Sequence, residues 1–442
     1  MSPAMATMPD FAGIIIDERY QLLKVLGSGT YGVVYQALDF HPTADPTLPY
    51  KAVKIVSKIG RHNSQLAAVR REIALQGVVS PHPNVVTLHD AFEDDEFFYI
   101  ILQFYPGGDL FDHICDKRTY VYNDALLRSA FVSLVDAVQA CHDAKIYHRD
   151  LKPENVLTNG DGSEVYLADF GLATDRTIVN EFGCGTTIYM SPECAGREFG
   201  YKPFCARFSD VWSLGVILIN MISGRHPWAK ATLEDECFVN FCQDPDFLLD
   251  MLPISEGAND ILQRTLALNP LQRISLPELR AEILALDTFF MSEEELADAN
   301  EFAQIAAAGL KKEQEAHQNE NAASEERATA ASGTGPLVEM DIGDIIICPS
   351  ISSPAAESTT TASEIDITAL PAGGARDHSS GSVLDSAASS RASSTDSSAV
   401  VTPGDVTPLR IAECEEKDIG ECMWEKQAAD AEYLISRLSL HL

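Results

Sequence analysis

Residues 148–155 read His-Arg-Asp-Leu-Lys-Pro-Glu-Asn, and this octapeptide constrains the chain more than any other feature. It places a carboxylate, an ammonium group and a carboxamide in one short loop. Asp150 is suited to orient the proton of a substrate hydroxyl, Lys152 to neutralise charge on a phosphoryl group, and Asn155 to ligate Mg²⁺. A plain polar turn is the alternative, and it would not require matching motifs on both sides.

The first matching motif is the glycine-rich stretch of residues 26–34, which fits the pattern GxGxxGxV. Glycine lets the backbone turn tightly and approach phosphate oxygens without a Cβ in the way. A dinucleotide-binding GxGxxG would open a helix, whereas here β-branched residues continue a strand, so the pattern indicates strand, loop and strand.

The second motif is a lysine about 20 residues further on. Lys54 lies in an alternating apolar stretch, residues 50–56, that predicts a strand, and its apolar neighbours imply a buried partner. Glu72 is the candidate because it lies in a segment with helical spacing. A surface lysine and a solvated glutamate are the alternatives. An ion pair between Lys54 and Glu72 would direct the ammonium group to the α- and β-phosphates of ATP.

Downstream motifs follow in order. Asp169 begins an Asp-Phe-Gly tripeptide after a short strand-like run and is the second candidate Mg²⁺ ligand. Glu193 closes a Ser-Pro-Glu tripeptide, and Arg273 is placed to pair with it as a structural contact. Asp210 begins an apolar stretch whose length suits a buried helix.

Residues from about 20 to 290 resemble eukaryotic protein kinases, with the main motifs present and in order. The Leu-Lys-Pro-Glu sequence of residues 151–154 resembles that of serine/threonine kinases, since tyrosine kinases usually carry an Ala/Arg pattern there. Residues 182–194, 223–228 and 244–247 resemble fungal meiosis-repressing and nutrient-signalling kinases. The resemblance implies an α+β, two-lobed protein kinase fold, with a small β-rich N-lobe and a larger helical C-lobe.

The same resemblance implies ATP and Mg²⁺ as cofactors and assigns further residues. Thr186 would hydrogen-bond Asp150 and Lys152. The residues expected to contact ATP, besides Lys54, are Leu26, Gly27, Ser28, Gly29, Thr30, Tyr31, Gly32, Val34, Ala52, Gln103, Tyr105 and Leu157. Val34, Ala52 and Leu157 would sandwich the adenine ring, although each could equally be plain core.

Substrate choice and regulation are the finer expectations. Asp109 and Glu154 lie where related kinases select basic residues before the acceptor. Arg149 implies a need for an anion in the activation loop, but the usual phosphothreonine position falls near Phe182. The hypothesis is that the adjacent Glu181 supplies the charge, with Thr174, Thr177 and Thr187 as alternative sites of modification.

Net charge, cysteine pattern and hydropathy limit the functions and locations that the chain can have. The net charge is −34, and both the first 290 residues and the remainder are acidic. This disfavours nucleic-acid binding and favours either attraction of basic protein substrates or solubility alone. Ten cysteines without CxxC pairs, no secretory leader and no apolar run of about 18 residues favour a cytoplasmic or nuclear protein without a membrane span.

The expected organisation is a loose lead-in at residues 1–16, a kinase domain at 17–290 with the N-lobe at 17–103 and the C-lobe at 106–290, and a helical extension at 291–318. Residues 319–410 are rich in Ser, Thr and Ala and predict a disordered tail. Residues 411–442 predict an amphipathic helix that docks on the kinase or on an unknown partner, or stays frayed. A pseudokinase scaffold acting through this tail is the alternative function.

Overall fold

The structure is a computed structural model of the 442-residue chain. It describes residues 8–29, 32–41 and 49–331, with side chains described as far as residue 317. The predictions for a disordered tail beyond 331 and for a helix at 411–442 fall outside the described residues, as does most of the proline-rich segment at 42–49.

The N-lobe is a six-stranded antiparallel sheet with the order β1-β2-β3-β4-β6-β5. Its strands are β1 (Ile15–Ile16), β2 (Tyr20–Ser28), β3 (Gly32–Asp39), β4 (Tyr50–Ser57), β5 (Leu88–Glu93) and β6 (Phe97–Gln103). Alternation along β4 sends Val53 and Ile55 into the core of the lobe and Ala52 and Lys54 to the opposite face. The strand predicted at residues 50–56 is therefore confirmed.

Helix α1 (Asn63–Val79) lies beside this sheet and carries Glu72. Val69 of the helix packs with Phe98 and Ile100 of β6, so the helix is fixed against the sheet by apolar contacts. Glu72 lies on the buried side of this helix and is itself only 9% exposed.

The lead-in is not loose where the structure describes it. Phe11 is buried and contacts the rings of Tyr35 and Phe97 edge-on, at centroid distances of 6.2 and 5.2 Å. The backbone N–H of Phe11 donates to Tyr35 Oη, and Ile16 pairs with Tyr20 in the sheet. The apolar core of the N-lobe therefore includes Phe11 and Ile16, which lie before the expected boundary at residue 17.

The C-lobe is helical and is built around α2 (Asp124–Asp143) and the almost entirely buried α4 (Ala206–Ser223). The other elements are β7 (Val156–Thr158), β8 (Val165–Leu167), β9 (Ile178–Val179), β10 (Phe204–Cys205), α3 (Pro192–Ala195), α5 (Glu236–Gln243), α6 (Phe247–Met251), α7 (Glu256–Thr265) and α8 (Leu276–Ala285). A π-helical turn spans Asp112–Asp116, and short 3₁₀ turns span Pro153–Asn155, Thr187–Tyr189 and Pro270–Gln272. Residues 148–155 lead into β7, Asp169 follows β8, and Thr186 lies in the long connection between the paired strands β9 and β10.

The predicted extension forms two helices, α9 (Glu293–Asp298) and α10 (Glu301–Ala331). Residues 319–331 continue this helix past the expected boundary at residue 318. Their composition explains this, since Ala, Glu and Arg are strong helix formers. Buried residues of α10 recur at i, i+3, i+4 and i+7, namely Ala303, Ala306, Ala307 and Leu310, so the extension packs on the C-lobe and is continuous with it.

Candidate active site

The catalytic candidates converge on Asp150, which lies between α2 and β7. Its Oδ1 accepts hydrogen bonds from the backbone N–H and the hydroxyl of Thr186, at 2.8 and 2.9 Å. Its Oδ2 lies 3.0 Å from Lys152 Nζ and 3.2 Å from Asn155 Nδ2. Lys152 also donates to Thr186 Oγ1 at 2.9 Å. The structure thus brings together the four predicted residues in one hydrogen-bonded cluster that is open to solvent on one side.

Buried contacts hold the backbone of this loop. Asp210, with 1% side-chain exposure, accepts from the backbone N–H groups of His148 and Arg149 at 2.9 and 2.8 Å. His142 Nε2 lies 2.9 Å from the same carboxylate. Because Arg149 has the left-handed φ of 68°, these bonds stabilise a backbone turn that would otherwise be unfavourable. Asp210 therefore has a structural role, because it holds the backbone of the catalytic loop.

Lys54 joins the two lobes through two carboxylates. Its Nζ lies 2.7 Å from Glu72 Oε1 and 3.1 Å from Asp169 Oδ1. Burial favours the neutral amine, but Asp169 and Glu72 outweigh it and raise the pKa of Lys54, so the side chain is an ammonium group at neutral pH. The Lys54 charge in turn lowers the pKa of Asp169 to about 2. Both groups therefore carry full charge over the physiological range.

Asp169 is positioned by the residue that follows it. Phe170 is fully buried and packs edge-on against His148, with ring centroids 5.1 Å apart. His148 Nε2 lies 3.0 Å from the carbonyl oxygen of Ala168, and Asp169 itself has a φ of 59°. Half of the Asp169 side chain is exposed to solvent, so its carboxylate faces the space between the lobes.

The donors present fit ATP with a divalent cation. At Gly27 and Gly29 an added Cβ would meet open space, so none of the described residues occupies the volume beside these two glycines. Asn155 directs its amide nitrogen to Asp150, at 2.9 Å from the carbonyl oxygen, which leaves its Oδ1 as the group able to ligate a cation. Mg²⁺ bound with nucleotide phosphates commonly uses only one or two protein oxygen ligands. Asn155 and Asp169 supply that number.

The remaining ATP-contact candidates are placed around the same space. Leu26, Gly27 and Ser28 end β2 and Gly32 and Val34 begin β3, while Thr30 and Tyr31 fall outside the described residues. Val34 pairs with Lys54, and Ala52 pairs with Leu102, so both belong to the central strands. Leu157 lies in β7 and pairs with Tyr166.

The segment between the lobes carries Gln103 and Tyr105. The Tyr105 ring stacks on Tyr166 with centroids 3.9 Å apart, which ties this segment to β8. The Gln103 backbone N–H donates to the carbonyl of Thr87 at 2.9 Å, and its side chain contacts Lys51 and His89. These contacts engage both the side chain and the backbone N–H of Gln103 within the N-lobe sheet.

Asp109 follows this segment and is the most perturbed carboxyl group near the site. Burial raises its pKa to about 6, and the nearby carboxylates of Asp112 and Glu154 act in the same direction. Its Oδ1 accepts from the backbone N–H of Asp112 at 2.9 Å. Glu154 is exposed. Because the charge of Glu154 acts on Asp109, a cationic side chain close to both carboxylates would be favourable.

Arg149 has the anionic partner that the sequence suggested. Its NH2 lies 3.2 Å from Glu181 Oε2, and the Arg149 side chain is only 8% exposed. Phe182, at the position where a phosphothreonine was expected, instead packs against Tyr201 and Phe204. An aromatic cluster therefore anchors this part of the segment, and a carboxylate stands beside the arginine.

Two of the three alternative hydroxyl sites in the segment, Thr174 and Thr177, already have hydrogen-bond partners. Thr174 is buried, and its Oγ1 accepts from the backbone N–H of Arg176. Thr177 Oγ1 lies 3.0 Å from Tyr147 Oη. Thr187 is exposed at the start of a 3₁₀ turn. Of the three alternatives, Thr187 is the most accessible to a modifying enzyme.

Glu193 and Arg273 form a fully buried ion pair. The two guanidinium nitrogens reach the two carboxylate oxygens at 2.5 and 2.9 Å, and the side chains are 1% and 0% exposed. Arg273 also donates to the carbonyls of Ala267 and Phe208 and lies 4.9 Å above the ring of Trp212. The pair fastens the end of the activation segment to the core of the C-lobe.

Two contributors were missed by sequence reasoning. His142 reaches Asp210 from α2, and only a pairing of distant residues could have revealed it. Gly185 has a φ of 104°, and an added Cβ would come within 2.6 Å of the Arg149 carbonyl oxygen. The Cys-Gly-Thr sequence at 184–186 contained that signal, because a glycine directly before Thr186 allows the close approach to the catalytic loop.

Comparison with known proteins agrees with this geometry. The protein kinase domain family matches residues 20–284. The chain is 40% identical over 286 residues to the negative regulator of sexual conjugation and meiosis of Schizosaccharomyces pombe. This match covers 60% of this chain and 60% of that relative. It is 31% identical over 332 residues to serine/threonine-protein kinase VHS1 of Saccharomyces cerevisiae, covering 61% of this chain and 71% of the relative.

A third relative, serine/threonine-protein kinase ksp1 of Schizosaccharomyces pombe, is 33% identical over 287 residues, covering 63% of this chain and 59% of the relative. The chain thus spans less than two thirds of the length of the first and third of these relatives. The predicted resemblance to fungal meiosis-repressing kinases is confirmed, and with the site geometry and a family match over more than half of its length, the chain belongs to the protein kinase family.

Proposed function

We propose that the protein transfers the γ-phosphoryl group of ATP to serine and threonine hydroxyls of protein substrates, with Mg²⁺ as the cation. The observation that carries this proposal is the joint geometry of Asp150, Lys152, Asn155 and Thr186, with Lys54 already paired to Glu72 and Asp169. When bound, ATP would supply the phosphoryl group, and Mg²⁺ would neutralise part of the negative charge on the phosphates. The protein contributes orientation and electrostatic stabilisation.

Each side chain has a defined task in this proposal. Asp150 accepts a hydrogen bond from the incoming hydroxyl and orients it, while Thr186 fixes the carboxylate in place. Lys152 would stabilise charge on the transferred group, and Lys54 would orient the α- and β-phosphates of ATP. Asp169 and Asn155 would hold the cation through oxygen atoms, and the low pKa of Asp169 keeps this carboxylate ionised.

We propose a preference for Arg or Lys a few residues before the acceptor, supported by Asp109 and Glu154. A peptide with Arg three residues before the serine is compared with its Ala counterpart. A several-fold higher kcat/KM for the Arg peptide is expected, and equal rates would refute the preference.

We propose that Glu181 replaces a phosphate beside Arg149, so that the enzyme is active without modification of its loop. Protein made in bacteria is checked for phosphate by mass spectrometry and then assayed. Unphosphorylated and active protein is expected, whereas unphosphorylated and inactive protein refutes the idea.

A role in fungal intracellular signalling follows from the relatives and is also a proposal, as is residence in the cytoplasm, the nucleus or both. The part of the chain that the structure describes has no helix long and apolar enough to cross a membrane. Imaging of the tagged full chain tests the location, and a purely extracellular signal would contradict it. The scaffold alternative predicts that truncation of the tail, with Asp150 intact, abolishes function in the cell.

A further inference from the structure

Helix α10 contacts one loop of the C-lobe, residues 117–123, which follows the segment between the lobes. Three contacts join them: Glu313 Oε2 lies 2.8 Å from Arg118 NH2, Gln314 Nε2 donates to the Val121 carbonyl at 2.7 Å, and Lys311 Nζ lies 5.8 Å from the centroid of the Tyr122 ring. All three come from a single turn of the helix. The protein kinase family match ends at residue 284, so α10 lies beyond it.

The 117–123 loop has an unfavourable backbone. Arg118 and Tyr122 both have left-handed φ values, 50° and 52°, although neither is a glycine. Residues with a Cβ adopt this conformation only where surrounding contacts hold them there. Both strained residues are among those that α10 contacts. The helix therefore supplies part of the restraint that keeps the loop in this shape.

The loop is also connected to the substrate side of the site. Arg118 NH1 donates to the Ile114 carbonyl at 3.3 Å, within the π-helical turn. The first residue of that turn, Asp112, donates its backbone N–H to Asp109. Lys117 Nζ donates to the carbonyl of Gly107 at 3.0 Å, in the segment between the lobes. Hydrogen bonds thus connect the loop to the π-helical turn that contacts Asp109 and to Gly107, two residues before Asp109.

We propose that α10 is a positioning element for substrate recognition, because it holds the 117–123 loop and thereby orients the carboxylate of Asp109. The helix is itself fixed by its buried residues Ala303, Ala306, Ala307 and Leu310, so its contacts with the loop have a rigid base. This proposal rests on the proposed function, since it assigns Asp109 to the recognition of a basic substrate side chain. Glu313 and Gln314 are positioning residues that touch neither substrate nor nucleotide.

The test compares the double variant Glu313→Ala, Gln314→Ala with Glu315→Ala, in the full chain. Glu315 is an exposed glutamate in the same helical turn and serves as the matched control. In the double variant KM for the Arg peptide is expected to rise about threefold to fivefold, the range for a partly exposed ion pair with an added hydrogen bond. KM for ATP, and KM for the Ala peptide, are expected to stay within twofold of the wild type.

Hydrogen exchange of residues 117–123 is measured on the same proteins and is expected to be faster in the double variant alone. The inference is overturned if the kinetic constants of the double variant match those of Glu315→Ala, or if KM for ATP rises as much as KM for the Arg peptide. A wild-type protein that phosphorylates neither peptide would refute the proposed function instead. In that case unchanged exchange in the loop would overturn the positioning role separately.

Discussion

Removal of Arg273 is expected to destabilise the C-lobe strongly. Arg273→Ala deletes both charged hydrogen bonds to Glu193 and leaves that carboxylate buried, with 1% of its side chain exposed. Breaking a buried pair by removing one partner costs about 3–5 kcal/mol. In a domain of this size each kcal/mol lowers Tm by roughly 2–4 °C, so a fall of about 6–20 °C is expected.

Thermal unfolding followed by circular dichroism measures this loss. Arg280→Ala is the matched control, because Arg280 forms an ion pair with Asp136 in which the side chains are 44% and 32% exposed. Such a surface pair contributes about 0–1 kcal/mol, so the control is expected to lose a few degrees at most. Replacing both Glu193 and Arg273 by Met is expected to recover part of the stability, since no buried charge is left unpaired. Equal losses in Arg273→Ala and Arg280→Ala would refute the reasoning.

Three further predictions address the lead-in, the activation segment and the proposed specificity residue Asp109. Phe11→Ala is expected to lower the free energy of unfolding by about 3–5 kcal/mol because the ring is buried against two others; urea unfolding with no change would show that the lead-in is dispensable. Glu181→Gln is expected to reduce kcat about tenfold by removing the charge beside Arg149, and a rate within twofold of the wild type would argue against Glu181 as a phosphate substitute. The ratio of rates for the Arg and Ala peptides is expected to fall as the pH drops from 7.5 to 5.5, because Asp109 has a raised pKa of about 6 and loses its charge below it. A ratio independent of pH would contradict the assignment of Asp109.

The positions of the catalytic residues could be predicted from the sequence because they lie in short motifs whose chemistry depends on local order. Asp150, Lys152 and Asn155 stand within six residues of one another. Lys54 and Asp169 lie far apart in sequence, yet each is marked by a flanking strand of regular alternation. Their mutual distance of 3.1 Å follows once both strands are placed in the kinase fold.

Features created by long-range packing could not be predicted in the same way. Phe11 does not belong to a stretch of alternating or helically spaced apolar residues. Its burial depends on contacts with the rings of Tyr35 and Phe97, which lie on two different strands. The left-handed backbone at Arg118 and Tyr122 could not be predicted, because neither residue is a glycine. Contacts with a helix about 190 residues away help to hold this backbone in place. Composition did favour helix beyond 318, but the neighbouring Ser- and Thr-rich sequence obscured where the helix ends.

The most direct test of the central claim is a peptide-array phosphorylation assay with purified protein and Mg²⁺-ATP, run beside Asp150→Asn. The amide preserves the size of the side chain but cannot carry the negative charge that orients the hydroxyl and pairs with Lys152. The account predicts phosphorylation of serine and threonine peptides by the wild type and a loss of at least a hundredfold in the variant. Equal incorporation by the two proteins would contradict it.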